Sequence, residues 1–153
     1  LNVIWLANGI AGDDTHGHID DIARFVAPGV VLLAYEADPT DENHEASVDN
    51  LRRLELARDA AGRPLRVIKL PMPRPVWYED MRLPASYANF YIANGVVIVP
   101  TFNDVNDRVA LNILAEAFPD RQVVGIHAVD LVLGQGTLHC LTQQQPAARP
   151  ADA

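Results

Sequence analysis

An α/β fold built from a repeated hairpin, helix and strand is predicted by three observations. Residues 25–34 (Phe-Val-Ala-Pro-Gly-Val-Val-Leu-Leu-Ala) align without gaps on residues 91–100 (Tyr-Ile-Ala-Asn-Gly-Val-Val-Ile-Val-Pro), an offset of 66 positions, 91 minus 25. Each stretch is a pair of apolar arms around a two-residue turn. Each is followed by apolar residues at helical spacing and then by a short β-branched run. Hairpins and amphipathic helices are common enough to align by chance at one of these levels. Agreement at all of them favours a duplicated unit in which one sheet face is buried beneath one helix.

The elements follow in order. Residues 1–6 (Leu-Asn-Val-Ile-Trp-Leu) read as a strand entered part-way without an initiator methionine, so the chain is expected to be a piece of a longer protein. In the first hairpin Pro28-Gly29 suits a type II turn, whereas Asn94-Gly95 in the second suits a turn with both residues at positive φ. Residues 41–57 place Ala46, Val48, Leu51, Leu54 and Ala57 near one helical face, and Gly62 and Pro64 stop that helix. Residues 65–70 read as a strand closed by Pro71 and Pro73. Residues 71–84, proline-rich and carrying Trp77, read as an irregular excursion that could form a rim over a pocket. After the second hairpin, residues 106–118 set Val109, Ala110, Ile113, Leu114 and Ala117 at helical spacing, and residues 122–126 form a strand. The repeats thus run near 25–70 and 91–126. Residues 1–6 and 136–145 are assigned to incomplete neighbouring units, and residues 147–153 to a loose tail.

The 153 residues suffice for one domain with its own core, and an apolar content of 49% suits a globular chain. A net charge of −8 argues against a nucleic-acid partner and favours, weakly, a cationic one. Apolar runs are of strand length, so no membrane partner is expected. The one cysteine cannot form an internal disulfide, which fits a cytoplasmic location.

Two segments carry the chemistry. Cys140 lies in Gly134-Gln-Gly-Thr-Leu-His-Cys140, and Gly12-Asp-Asp-Thr-His-Gly-His-Ile-Asp-Asp21 crowds four carboxyls around His16 and His18. A thiol attacks carbon as thiolate, so a catalytic Cys140 needs an electropositive setting or a proton acceptor, for which His18 is the candidate. Leu138 and Leu141 allow the other reading, an inert thiol in the core.

Four stretches carry a resemblance: Trp5-Leu6; Asp13-Asp-Thr-His-Gly-His-Ile-Asp-Asp-Ile-Ala-Arg-Phe-Val26; Ala85-Ser-Tyr-Ala-Asn-Phe-Tyr-Ile-Ala-Asn-Gly95; and His139-Cys-Leu-Thr-Gln-Gln-Gln-Pro146. Residues 1–146 resemble the C-terminal part of the Porphyromonas-type peptidylarginine deiminase family, on its agmatine-deiminating side, within the guanidino-modifying pentein superfamily. That resemblance implies a partial pentein-type α/β propeller, five-bladed when complete. It implies deimination of agmatine to N-carbamoylputrescine and ammonia through a covalent cysteine intermediate. Cys140 would be the nucleophile, His18 the general acid and base, and Asp20 a carboxylate holding the guanidinium. Asp14 is a further candidate for binding the substrate's cationic group; His139 takes no catalytic role. Neither metal nor organic cofactor is implied. Where family members often carry glycine and asparagine before His-Cys, this chain has Gln135 and Thr137. The family's Trp-x-Arg-Asp and Glu-Gly-Gly segments, which supply further carboxylates, do not occur and are expected upstream. The isolated piece is therefore expected to be inactive and to self-associate or pair with the missing N-terminal half.

Other readings stay open. A peptide-bound arginine presents the same guanidinium as agmatine. Thr15-His-Gly-His-Ile-Asp-Asp21 resembles the His-x-His-x-Asp-His motif of metallo-β-lactamase-like hydrolases, with Asp21 replacing the last histidine, which would make a metal-dependent hydrolase. A noncatalytic fragment is the third.

Overall fold

The computed structural model describes residues 2–15 and 17–145. The tail expected at residues 147–153 lies outside them. Strand β1 (Ala23–Ala27) turns into antiparallel β2 (Val30–Tyr35); helix α1 (Asn43–Leu56) follows, and β3 (Arg66–Pro71) returns parallel to β2. A small hairpin comes next, β4 (Val76–Tyr78) and β5 (Met81–Leu83). The second unit repeats the first: β6 (Tyr91–Ala93) pairs antiparallel with β7 (Val96–Thr101), helix α2 (Asp107–Ala117) follows, and β8 (Gln122–His127) runs parallel to β7. The sheets have the orders β1-β2-β3 and β6-β7-β8, and among the described residues neither closes on itself.

The apolar run of β2 has a simple cause. Successive side chains of a strand point to opposite faces, and here both faces are covered. Val31 and Leu33 join Ile22, Leu54 and Leu65 in a smaller cluster beneath α1. Leu32 and Ala34 join the larger core, which holds Leu70, Tyr87, Phe90, Val97, Val99, Ala110 and Leu114. A strand buried on both sides reads as continuous hydrophobe. The expectation of one covered face per unit was therefore too small, because α2 packs on β3 as well as on its own β8.

Four further expectations are corrected. Asn94 keeps a negative φ and only Gly95 (74°) is left-handed, as only Gly29 (76°) is in the first hairpin. Both turns thus use the geometry that proline, with φ fixed near −65°, already imposes on the first. Residues 2–10 form no strand; they lie along α1, where side-chain amides replace a sheet partner. Ala7 N–H donates to Asn50 Oδ1 (2.7 Å), Ala11 N–H to Asn43 Oδ1 (2.7 Å), and Asn50 Nδ2 to the Asn8 carbonyl (2.9 Å). Consequently the buried face of α1 is Asn43, Ser47, Asn50 and Leu54, while Val48 is exposed.

The excursion at residues 71–84 is also more regular than its prolines suggest. Arg82 on β5 reaches both oxygens of Asp41 (3.0 Å each) and Glu42 (2.8 Å), and Arg74 reaches Asp104 (2.7 Å), so the hairpin segment is tied to both units. Residues 138–141 form a turn, following a 3-10 turn at Leu131–Gly134.

Candidate active site

The first loop is organised by Asp13. Its buried carboxylate accepts from Thr15 N–H (3.0 Å), Thr15 Oγ (2.9 Å), Gly17 N–H (2.9 Å) and His18 N–H (2.7 Å), drawing Thr15, Gly17 and His18 onto one anion. Burial alone would raise its pKa; the donors from His18 and Thr15 outweigh it and hold the carboxyl below its usual range. Before it, Gly12 has φ 87° and backs directly onto the Arg82 carbonyl, where any Cβ would collide. Asp13 also stands 3.4 Å from Nδ1 of the half-exposed His18 ring.

A 3-10 turn at Ile19–Asp21 then carries the next two acids toward the second loop. Asp20 Oδ2 meets His139 Nδ1 at 2.7 Å, Asn89 Nδ2 at 3.2 Å and the Cys140 thiol at 3.3 Å. Burial opposes ionisation of Asp20, but the bonds from His139 and Cys140 keep its pKa below the ordinary value. Asp21 is fully buried. Its Oδ1 accepts from Asn89 Nδ2 at 2.8 Å, and its Oδ2 has no partner among the described residues. Burial, reinforced by the neighbouring charge of Asp20, pushes its pKa up to about 7.

Cys140 is exposed, which removes the core-thiol reading. Its loop turns through Gln135 at φ 67° and presses Gly136 against Cys140; a Cβ there would sit 2.5 Å from Sγ. Gln135 thus holds a left-handed backbone that most side chains avoid and glycine adopts freely. Partial desolvation, with the two carboxylates, lifts the thiol above its ordinary pKa, while a bond from Asn89 Nδ2 (3.0 Å) works the other way.

The loops therefore meet, with Asp21 as the shared member. Donor atoms of Asp13, His18 and Asp21 lie within 4.8 Å of one another, as do those of Asp20, Asp21 and Cys140. Of the sequence candidates, Cys140 and Asp20 touch and His18 approaches through Asp21. The Asp14 carboxylate is exposed and makes no hydrogen bond among the described residues. For the metal reading, His16 lies outside the described residues. His18 and Asp20 face different partners, and the oxygens of Asp13 are already taken by four donors. Sequence reasoning missed Asn89 and the His139 contact. Both lie in motifs singled out above, but a neutral amide 51 positions before the cysteine carries no local sign of its partners.

An exposed cysteine thus lies among carboxylates where the segment before the first hairpin meets the segment after the second unit, an arrangement whose charge suits a cation. The chain matches the family profile of Porphyromonas-type peptidyl-arginine deiminase over residues 1–146, and it belongs to that family. It is 41% identical to an agmatine deiminase of Pseudomonas aeruginosa (strain LESB58), covering 98% of this chain and 46% of that protein. Among solved structures it superposes on the agmatine deiminase of Enterococcus faecalis (39% identity, TM-score 0.87, 94% of this chain and 44% of that one). A further match is a C. jejuni agmatine deiminase with substrate bound (35% identity, TM-score 0.80, 89% and 39%). The chain spans less than half the length of the relatives it matches.

Proposed function

We propose that this chain carries the nucleophile half of an agmatine deiminase, and that its two sheet units are blades of a pentein-type ring completed by polypeptide outside the chain. The observation that carries the reading is the Cys140 thiol, exposed and within 3.3 Å of Asp20. A guanidinium is planar and rich in donors, so carboxylates such as Asp20 can hold its nitrogens while its central carbon stays open. The acids that raise the thiol's pKa in the absence of substrate become an advantage once that cation sits among them, because its charge favours the thiolate. The Cys140 sulfur then adds to the guanidino carbon. His18 gives a proton to the departing amine, ammonia leaves, and a thiouronium remains. Water, losing one proton to His18, attacks the same carbon; the C–S bond breaks to return the thiolate, and the new hydroxyl gives its proton to the released ammonia, leaving N-carbamoylputrescine and ammonium. Asp14, exposed on the first loop, is assigned to the substrate's distal ammonium.

Agmatine is preferred to peptide-bound arginine because relatives near 40% identity bear that name. The test is ammonia release from agmatine by the complete protein, with a peptidylarginine substrate alongside. Cys140→Ser should lower agmatine turnover by about 10³-fold or more without loss of fold, since a hydroxyl of similar size is a far weaker nucleophile. Near-normal turnover in that variant removes Cys140 from the chemistry, and faster turnover of peptidylarginine reassigns the substrate. Residues 1–153 alone should release no ammonia, because the carboxylates held here grip only one side of the substrate.

A further inference from the structure

The side chain of Asn89 has an arrangement that none of the roles above uses. It is 1% exposed and bonded at both ends. Its Oδ1 accepts from Thr137 N–H (3.2 Å), Thr137 Oγ (2.9 Å), His139 N–H (3.0 Å) and Cys140 N–H (3.3 Å). Its Nδ2 faces three acceptors, Asp21 Oδ1 (2.8 Å), Cys140 Sγ (3.0 Å) and Asp20 Oδ2 (3.2 Å). The amide cannot be reversed. A flipped Oδ1 would confront two carboxylates and a sulfur, and a flipped NH₂ would confront three N–H groups and a hydroxyl. Its backbone is equally fixed. Arg24 Nη1 holds the carbonyls on either side, Ala88 (3.1 Å) and Phe90 (2.7 Å), and Ser86 Oγ donates to the Asp21 carbonyl (2.7 Å).

We propose that Asn89 is the positioning residue of the nucleophile: its oxygen gathers the Thr137–Cys140 loop, and its N–H aims at the Cys140 sulfur, holding the thiolate against the surrounding acids. The inference rests on Cys140 being the nucleophile. With two N–H groups and three acceptors, one bonds Asp21 and the other is shared between the sulfur and Asp20. The charged or titratable groups around that sulfur are Asp20, Asp21, His139 and Arg24, with His18 reached through Asp21. Arg24 and the Asn89 N–H are the groups here that favour negative sulfur at every pH.

The experiment is the pH dependence of Cys140 alkylation by iodoacetamide in the complete protein, where thiolate displaces iodide. Asn89→Asp keeps an oxygen for the loop and removes the amide donors. The thiol midpoint should rise by about one unit, the tenfold that matches the weaker end of bonds to charged groups, with alkylation near neutral pH slowed about tenfold. A folded variant with an unchanged midpoint would make Asn89 a loop support only and overturn the proposal. Should the variant not fold, ¹⁵N-asparagine labelling of the unmodified protein decides. Beside the step that Asp21 gives in both proteins, the Asn89 side-chain NH₂ resonance should show a second step at the alkylation midpoint that is lost in Cys140→Ser; a resonance indifferent to the thiol overturns it. Both readouts are independent of deimination. Absence of ammonia release would therefore count against the proposed reaction and leave the Asn89 result standing.

Discussion

The two units share one sheet order and differ in what their helices bury. Helix α2 turns Ala110 and Leu114 to the core, whereas α1 turns Asn43, Ser47 and Asn50 inward beside Leu54. The polar face of α1 grips residues 7–11 by their backbone, and that segment leads into the loop carrying Asp13 and His18. The stretches leading into the hairpins differ in the same sense. At the offset of 66 positions, Asp20 and Asp21 correspond to the buried neutral Ser86 and Tyr87. One copy of the unit has thus taken on holding and lining the site, and the other supplies packing and the rigid perch of Asn89.

The strongest way to break this comparison is a matched pair of variants in the complete protein. Leu114→Ala should destabilise by about 2–5 kcal/mol through the transfer and cavity costs, with turnover per folded molecule nearly unchanged. Asn50→Ala should destabilise by less, about 1–3 kcal/mol from backbone groups left unpaired, and yet reduce turnover, because it frees the approach to His18. Chemical denaturation alongside specific activity reads both. Equal loss of stability and activity in the two variants would erase the functional distinction between the helices.

A pH experiment sharpens the contrast in the stretches before the hairpins. Asp21 has a folded pKa of about 7 against an ordinary value of 3.8, so the folded chain holds its proton while the unfolded chain releases it. Stability from this group is present at pH 4, declines as pH rises toward 7, and stays level above. Asp21→Asn retains the bond from Asn89 and removes this dependence. Its Tm should exceed the parent's at pH 8 and show no advantage at pH 4; parallel Tm curves would mean that Asp21 titrates as an ordinary surface acid.

The smallest effect is expected where the two helices are alike. Val48 on α1 and Val109 on α2 both face solvent, 41% and 45% exposed. Val48→Lys and Val109→Lys should each change stability by no more than about 0.5 kcal/mol. A larger loss at either would show that its face is covered in the complete protein.

How much of this was legible follows from which interactions are local. The hairpins, both helices and both returning strands are written in apolar spacing and in Pro-Gly or Asn-Gly turns, because those signals act within a few residues. Cys140, His18 and Asp20 stand in motifs whose residue types suit guanidinium chemistry. The face of α1 was misread because Asn43 and Asn50 are polar, and nothing in a helical period says that a buried amide will find a backbone 32 to 43 positions away. The 120-position approach of Cys140 to Asp20 could be suspected from motifs but not from spacing. Sequence alone determined the two runs of hairpin, helix and strand and the reactive residue types, since propensity, turn geometry and side-chain chemistry are properties of short segments. Only the tertiary structure decided that Asn89 spans both loops, that Asp21 is buried beside Asp20 and that Cys140 stays exposed with its sulfur against Asn89, because burial, desolvation and charge proximity exist only once distant segments are brought into contact.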